Sequence, residues 1–365
     1  MTMLAACGGG TGGDPAPAPT RRVTVLPQRF AVSQHSASAA PDGTLVVAGG
    51  SRGLGLLSDA VDRMDTATGA TRRIGTLAAG RALHLATPLL DGGVLICGGL
   101  VASGSARAAE RLDLLSGGST AAGAMSVPRL HHAAVRLGDG RVLVTGGRSS
   151  GEAAPSGISA SGEVWSPWTG TFRRLDAPMQ MGRAGHAMSL LPDGRVLVTG
   201  GYAAGARYTF AEVFDPATER FVAQPGDGPP RAHHTSHCAG GRVWLLGGEG
   251  AAPEDPMPRP LSGVLVFDPA LGRFATATAL REARSRHAGV ATPDGGMLLF
   301  GGLGAAGVPI ASAEEVRPGA APRGLAGLDA GCELHTATLL ADGGVLVVGG
   351  ETPGGAYRCA VLRYD

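Results

Sequence analysis

Aromatic side chains are scarce in this chain: eight Phe, four Tyr and three Trp make up 4% of 365 residues. Any core must be packed mainly from Val, Leu and Ala. Charge of one sign is also missing. With 31 basic and 30 acidic residues the net charge is +1 and no basic stripe appears, which argues against a nucleic-acid partner. No apolar run reaches 18 residues, so no transmembrane helix is expected. There is no Cys-x-x-Cys, hence no structural zinc site of that type. Gly-x-Ser-x-Gly, a phosphate loop and His-Glu-x-x-His are absent as well. No catalytic residue, metal ligand or cofactor is therefore assigned.

Glycine is abundant, and it is periodic. Hydrophobic runs end in Gly-Gly at 49–50, 98–99, 146–147, 200–201, 247–248, 301–302 and 349–350, a mean period of 50 residues. Such a period marks a propeller blade. One unit is plain. Arg183-Ala-Gly-His186 opens it; Ala187–Leu191 is a short strand; Pro192-Asp193-Gly194-Arg195 is a tight turn; Val196–Thr199 is a second strand closed by Gly200-Gly201. A third strand at 211–215 is stopped by Pro216, and Thr218–Phe221 begins a fourth. Four antiparallel strands, a to d from axis to rim, make one blade. Asp-Gly recurs at the a–b turn in every unit but the fifth, which has Gly240-Gly241. A histidine opens strand a in all seven units: His35, His84, His132, His186, His234, His287 and His335.

The paired glycines, the Asp-Gly turn and the strand-c Phe-Asp-Pro followed by a Phe resemble Kelch repeats over residues 22–365. The strand-d Trp usual in that family is replaced here by Phe172, Phe221 and Phe274. The expected fold is all-β, a seven-bladed propeller of four-stranded antiparallel blades. The last unit stops at strand c, while Arg22–Pro27 aligns with the strand-d segment ahead of His186. That N-terminal strand is expected to complete the last blade and close the ring.

Residues 1–20 differ from the rest. Leu4-Ala-Ala-Cys7 resembles a bacterial lipobox, with Cys7 as the lipidated residue and Gly8–Pro19 as a flexible tether. Met1-Thr-Met lacks the basic and apolar segments of a signal peptide, so an exported lipoprotein requires a start further upstream. The chain is expected outside the cytoplasm, as a monomer. Cys97 and Cys238 fall on inner strands and read as small buried hydrophobes; Cys332 and Cys359 stand in neighbouring segments where they can pair.

Arg-x-x-His recurs at Arg81, Arg129, Arg183, Arg231 and Arg284, and strand c carries an acid at Asp62, Glu110, Glu163, Glu212 and Glu314. The first four acids precede an Arg by 19 or 20 residues. This offset suggests the ion pairs Glu110–Arg129, Glu163–Arg183 and Glu212–Arg231, which serve the repeat rather than a ligand. On that register Arg284 loses its acid to Leu265, and Glu314 loses its Arg to Cys332. An unpaired buried charge is costly. Arg284, Arg286, His287 and Glu314 are therefore the candidate ligand-binding residues, on the face that carries the enlarged b–c loops at 148–162 and 249–263 and the side chains Tyr202 and Tyr208. An acidic saccharide suits Arg284; the competing account is that Arg284 and Glu314 pair with each other.

The family also resembles the propeller of galactose oxidase. Copper-radical chemistry there uses two Tyr, two His and a Cys joined to one Tyr, with one Tyr directly before a His. This chain has no Tyr-His dipeptide, so no such residue is carried over. A sugar mutarotase on a Kelch-like propeller is a second resemblance, in which Arg284, Arg286 and Glu314 would hold an acidic sugar. The expected function is that of a binding or interaction protein with a protein or carbohydrate ligand; the alternative is a carbohydrate-directed propeller enzyme.

Overall fold

The computed structural model describes all residues except 1–20, 54, 150–156, 204–205, 208–210, 226–229, 253–254 and 355–359. The lipobox-like segment with Cys7, Tyr208 and Cys359 thus lie outside the described residues. Seven four-stranded antiparallel blades stand in a ring. Blade four shows the plan: strand a Ala187–Leu190, b Val196–Thr199, c Ala211–Asp215 and d Arg220–Gln224. Strand b is buried along its whole length in this blade. It is covered on both faces by neighbouring blades, so it reads as a continuous Val/Leu run rather than an alternation. At the a–b turn the Asp side chain accepts the backbone N–H two residues on, as from Arg195 to Asp193 Oδ1 at 3.0 Å, which locks the hairpin. Aromatic packing is limited to a few pairs, such as Phe214 against Phe221 between strands c and d and Phe300 against Tyr364 between blades six and seven, with ring centroids 4.9 and 4.7 Å apart.

The ring closes as the sequence suggested. Val23–Arg29 is strand d of blade seven, with Val23 opposite Tyr364, Thr24 opposite Arg363, Val25 opposite Leu362 and Leu26 opposite Val361. Blade five departs from the plan. The expected Pro-rich loop after Gly248 is instead largely strand: Glu249–Ala252 folds back on Asp255–Asp268, which pairs in turn with Arg273–Arg284. Its edge prolines do not block this, because a strand that leaves the blade needs few ladder donors from them.

The paired glycines fasten each blade to the next. Both glycines of every pair have positive φ, which a side chain would strain. A Cβ on Gly49 would lie 2.6 Å from the Arg81 carbonyl oxygen and 2.7 Å from His84 Cε1, both in blade two. The second glycine donates its N–H to that same carbonyl, as from Gly50 to Arg81 at 2.7 Å and from Gly147 to Arg183 at 2.8 Å.

The ion pairs exist, but in another register. Arg81 pairs with Glu110 at 2.5 Å, Arg129 with Glu163 at 2.8 Å, Arg183 with Glu212 at 2.5 Å and Arg284 with Glu314 at 2.8 Å. The expected Glu110–Arg129, Glu163–Arg183 and Glu212–Arg231 pairings are thus corrected by one blade. The reason is the sheet order. Each Arg enters at the start of strand a and passes the end of strand b. There Arg129, Arg183 and Arg284 donate to the first-glycine carbonyl of their own blade, and the guanidinium then reaches the acid on strand c. The acid's other oxygen accepts a backbone N–H from the crossover, as from Gln180 to Glu212 Oε2 at 3.0 Å. The arginine of the Arg-x-x-His set without an acid is consequently Arg231, not Arg284; its Nη1 still donates to the Gly247 and Gly263 carbonyls at 3.1 Å. Its acid position is Leu265, its Nε and Nη2 have no hydrogen-bond partner, and burial alone lowers its pKa to about 10.

Candidate functional site

The seven histidines ring the axis, and the Nε2 of each is engaged, while each buried Nδ1 has no hydrogen-bond partner. Each places Nε2 against the blade before it: His35 on Thr336 Oγ1 at 3.0 Å, His84 on Ser36 Oγ at 2.9 Å, His186 on Thr145 Oγ1 at 2.8 Å, His234 on Thr199 Oγ1 at 3.0 Å and His287 on Thr235 Oγ1 at 2.9 Å. His132 meets Cys97 Sγ at 3.7 Å, and His335 donates to the Phe300 carbonyl at 3.0 Å. Burial pushes the pKa of His35, His84 and His132 down to about 3 and that of His335 to about 4. These rings are neutral clasps between blades.

The residue just before each clasp behaves differently. Gln34, Leu83, His131, Gly185, His233, Arg286 and Leu334 all have φ between 52° and 65°. Six of the seven are not glycine, so six left-handed positions carry side chains that this conformation disfavours. The ring is stitched by backbone hydrogen bonds: Gln34 N–H to Leu334, Leu83 to Gln34, Gly185 to His131, His233 to Gly185 and Arg286 to His233, at 2.8–3.1 Å. Tight stitching holds the strained conformation and brings the six side chains to the axial cavity, the kind of over-determined strain found at binding sites. A second ring surrounds it, made by the residue after each glycine pair. Leu100, Arg148, Tyr202, Glu249 and Glu351 belong to it, each bridged antiparallel to the residue two before its clasp histidine.

The first ring, with Arg148 and Tyr202 of the second, forms the mouth of an axial cavity of about 670 Å³, which continues down strands a past Pro88, Arg136, Leu190 and Cys238. Cys238 is therefore not a wholly buried hydrophobe as expected; it is a half-buried thiol at this wall that donates to the Leu190 carbonyl at 3.2 Å, whereas Cys97 is buried. The polar chemistry gathers on blades three to seven. His131 and His233 meet edge to face, with centroids 5.7 Å apart, and Tyr202 lies 5.5 Å from His233. Burial, then the charges of Arg148 and Arg286, lower the His131 pKa to about 4. Arg286 stands 3.8 Å from Glu249 Oε2 and 3.9 Å from Glu333 Oε2. Burial raises the Glu333 pKa against the pull of Arg286, and Glu351 and Glu249 raise it further.

Of the residues singled out from the sequence, Arg286 and His287 line this mouth. Arg284 and Glu314 do not. They are 0% and 1% exposed and satisfy each other inside blade six. The sequence reading missed Arg148, Glu249 and Glu333 as site residues, and noted His131 and His233 only as doubled histidines. For His131 and His233 the usable signal was the position before each clasp histidine, where one residue type never repeats in neighbouring blades; for Arg148 and Glu249 it was the position after each glycine pair.

Among the described residues, no three His, Cys, Asp or Glu side chains come together to hold a metal ion, and no helix is long and apolar enough to cross a membrane. No protein-family model matches the chain, and no curated protein matches it. Solved structures do. A fungal alcohol oxidase of the AA5 family, solved in complex with copper, superposes with a TM-score of 0.73 at 18% identity over 94% of this chain and 75% of that one. The structure of YjhT superposes with a TM-score of 0.60 at 18% identity, over 77% of this chain and 94% of that one. At such identity the likeness is one of fold. The mouth residues do not fit a copper ion: two histidines and one tyrosine stand near one another here, but Glu249 lies between His233 and Arg286, and no three ligand groups converge among the described residues. What these comparisons establish is a seven-bladed propeller of the architecture shared by the galactose-oxidase-like AA5 enzymes and YjhT.

Proposed function

We propose that this chain is a Kelch-type propeller that binds a small polar ligand, of the acidic saccharide class, in the axial mouth. One observation carries the reading. Residues shared by the blades are consumed in holding the ring together, whereas the seven left-handed positions at the mouth differ from blade to blade and surround one cavity. Arg286 and Arg148 supply cations for a carboxylate. Tyr202, His131, His233, Gln34 and the glutamates supply donors and acceptors for hydroxyl groups. The test is titration of uronic acids and their oligomers into wild type and Arg286→Ala. A loss of tenfold or more in the variant is expected; equal affinity in the two proteins overturns the reading.

A second reading, a propeller enzyme acting on carbohydrate, is favoured by a specific feature. Glu333 has a raised pKa and an Oε2 with no hydrogen-bond partner, 3.9 Å from Arg286, which lines the mouth together with the neutral imidazole of His131. An acid and a neutral base that both reach a bound sugar are what proton transfer to and from it requires. Glu333→Gln abolishing turnover of a bound sugar while leaving its binding intact would select this reading over pure binding.

Export as a lipoprotein anchored through Cys7, and life as a monomer, belong to the same proposal. Cys332 is disulfide-bonded, which suits an oxidising compartment; Cys359, its expected partner, lies outside the described residues.

A further inference from the structure

Across the seven blades the Arg–acid pair is lost in three different ways. Blade seven has replaced both members, with Cys332 and Leu362 at the two positions, and both are buried. Blade five keeps Arg231 but has Leu265 for the acid. Blade one is the reverse: Asp62 stands at the acid position, opposite Val47 of strand b, but Val32 stands where the arginine should begin. Val32 is too short to fill the arginine's place. A cavity of about 280 Å³ remains, lined by Val32, Gly49, Ser58, Ala60 and Asp62, with Phe30, Arg52 and Thr71 also at its wall.

The walls are those that hold a guanidinium elsewhere in the chain. In blade six, Arg284 donates to the Gly301 and Ser312 carbonyls at 2.9 and 3.0 Å and to Glu314 at 2.8 Å. In blade three, Arg129 donates to the Gly146 and Ser161 carbonyls and to Glu163. The equivalent residues of blade one are Gly49, Ala60 and Asp62, and all three line the cavity. The Ala60 carbonyl already accepts Gly49 N–H at 2.9 Å, as the Ser312 carbonyl accepts Gly301 N–H at 3.0 Å while also holding Arg284. Asp62 is taken on one oxygen only, by Arg73 Nε at 2.8 Å on Oδ1, and Arg73 is itself about half exposed. Arg52 at the rim is exposed, so solvent screens its repulsion.

We propose that the blade-one cavity is a binding site for a guanidinium group borne on a slender stem. Planar donors on such a group would meet two backbone carbonyls and a carboxylate, the acceptor set that Arg129 and Arg284 already use. The stem comes from outside the chain, as a free guanidino compound or an arginine of a partner. This site is separate from the axial mouth and does not depend on the reading given to it.

The test is calorimetric titration of agmatine, and separately of the amidated tripeptide Gly-Arg-Gly, into the full chain. Three proteins are compared: wild type, Val32→Arg, which plugs the cavity from within, and Asp62→Asn, which removes its charge. Wild type is expected to bind one equivalent of agmatine, and both variants to lose tenfold or more. Agmatine binding without the tripeptide identifies a small-molecule site; tighter tripeptide binding identifies a partner's arginine. Should Val32→Arg fail to fold, Asp62→Asn still decides. No binding of either probe to wild type, or unchanged agmatine affinity in Asp62→Asn, overturns the proposal.

Discussion

His186 of blade four reaches back to Thr145 of blade three, with Nε2 2.8 Å from Oγ1. Thr145 ends the strand whose next residue, Gly146, lies beneath that same imidazole. One contact thus explains two repeat features, the histidine that opens a blade and the glycine that ends strand b of the blade before. The imidazole is neutral, because burial and the charge of Arg183 push its pKa well below the ordinary value.

Acid should therefore open the ring. The clasp histidines have folded pKa values below the unfolded one, so between the two the unfolded chain holds more protons and stability rises with pH. Falling pH costs about 1.4 kcal/mol per unit for each such histidine. With folded values near 3 for His35, His84 and His132, the loss begins below about 6.5 and continues towards the folded values. Melting temperature is expected to be level from pH 7 to 8 and to drop steeply from 6.5 to 5. A flat profile across that range would contradict neutral clasps.

The corrected ion-pair register is testable by mutation. Arg183 and Glu212 are both 0% exposed, so Glu212→Gln leaves a buried guanidinium without its counter-charge, at a cost of about 3–5 kcal/mol. Leu265→Glu does the opposite for Arg231 and should raise the midpoint of urea unfolding. If Glu212→Gln instead behaves like a surface change while Arg231 proves the sensitive partner, the Arg183–Glu212 register is wrong.

Ring closure rests on residues ahead of the first blade. Leu26 is buried against Val361 and its neighbours. Deleting residues 1–27 should lower the melting temperature far more than deleting 1–20. Matching melting curves for the two truncations would show that strand d of blade seven is dispensable.

Glycine at the end of strand b has no substitute. Gly49→Ala adds a Cβ 2.6 Å from the Arg81 carbonyl oxygen, at a φ of 67°. The neighbour is backbone and cannot swing away, so destabilisation of several kcal/mol, ~3, is expected from strain and overpacking together. Gly55→Ala, also at positive φ but in open space, is the control. Similar losses for both would mean that the close approach adds nothing beyond backbone strain.

The fold was legible because its signals are local and repeated. Asp193 caps its own turn two residues on, and Gly200-Gly201 ends its own strand, so a single unit displays its plan and six others confirm it. The site was less legible. Arg284 and Glu314 were singled out by sequence offset, and the offset of 19 or 20 residues was real. The partner of each acid, however, is the arginine 29–34 residues before it, not the one after. Offset alone could not choose between them, since both arginines recur at one blade's period.

By itself, the sequence determined the number of blades, the strand order within each and the strand that closes the ring, since turn chemistry and hydrophobic runs act over a few residues. Only the tertiary structure decided which charges meet. It also decided that Arg286 faces the mouth while Arg284, two residues away, is sealed inside blade six. A left-handed residue lies between the buried end of each crossover and its clasp histidine, and that reversal of the chain turns one side chain to the axis and its neighbour into the blade. The turn depends on backbone hydrogen bonds to the residues of adjacent blades, and those contacts exist only once the ring is assembled.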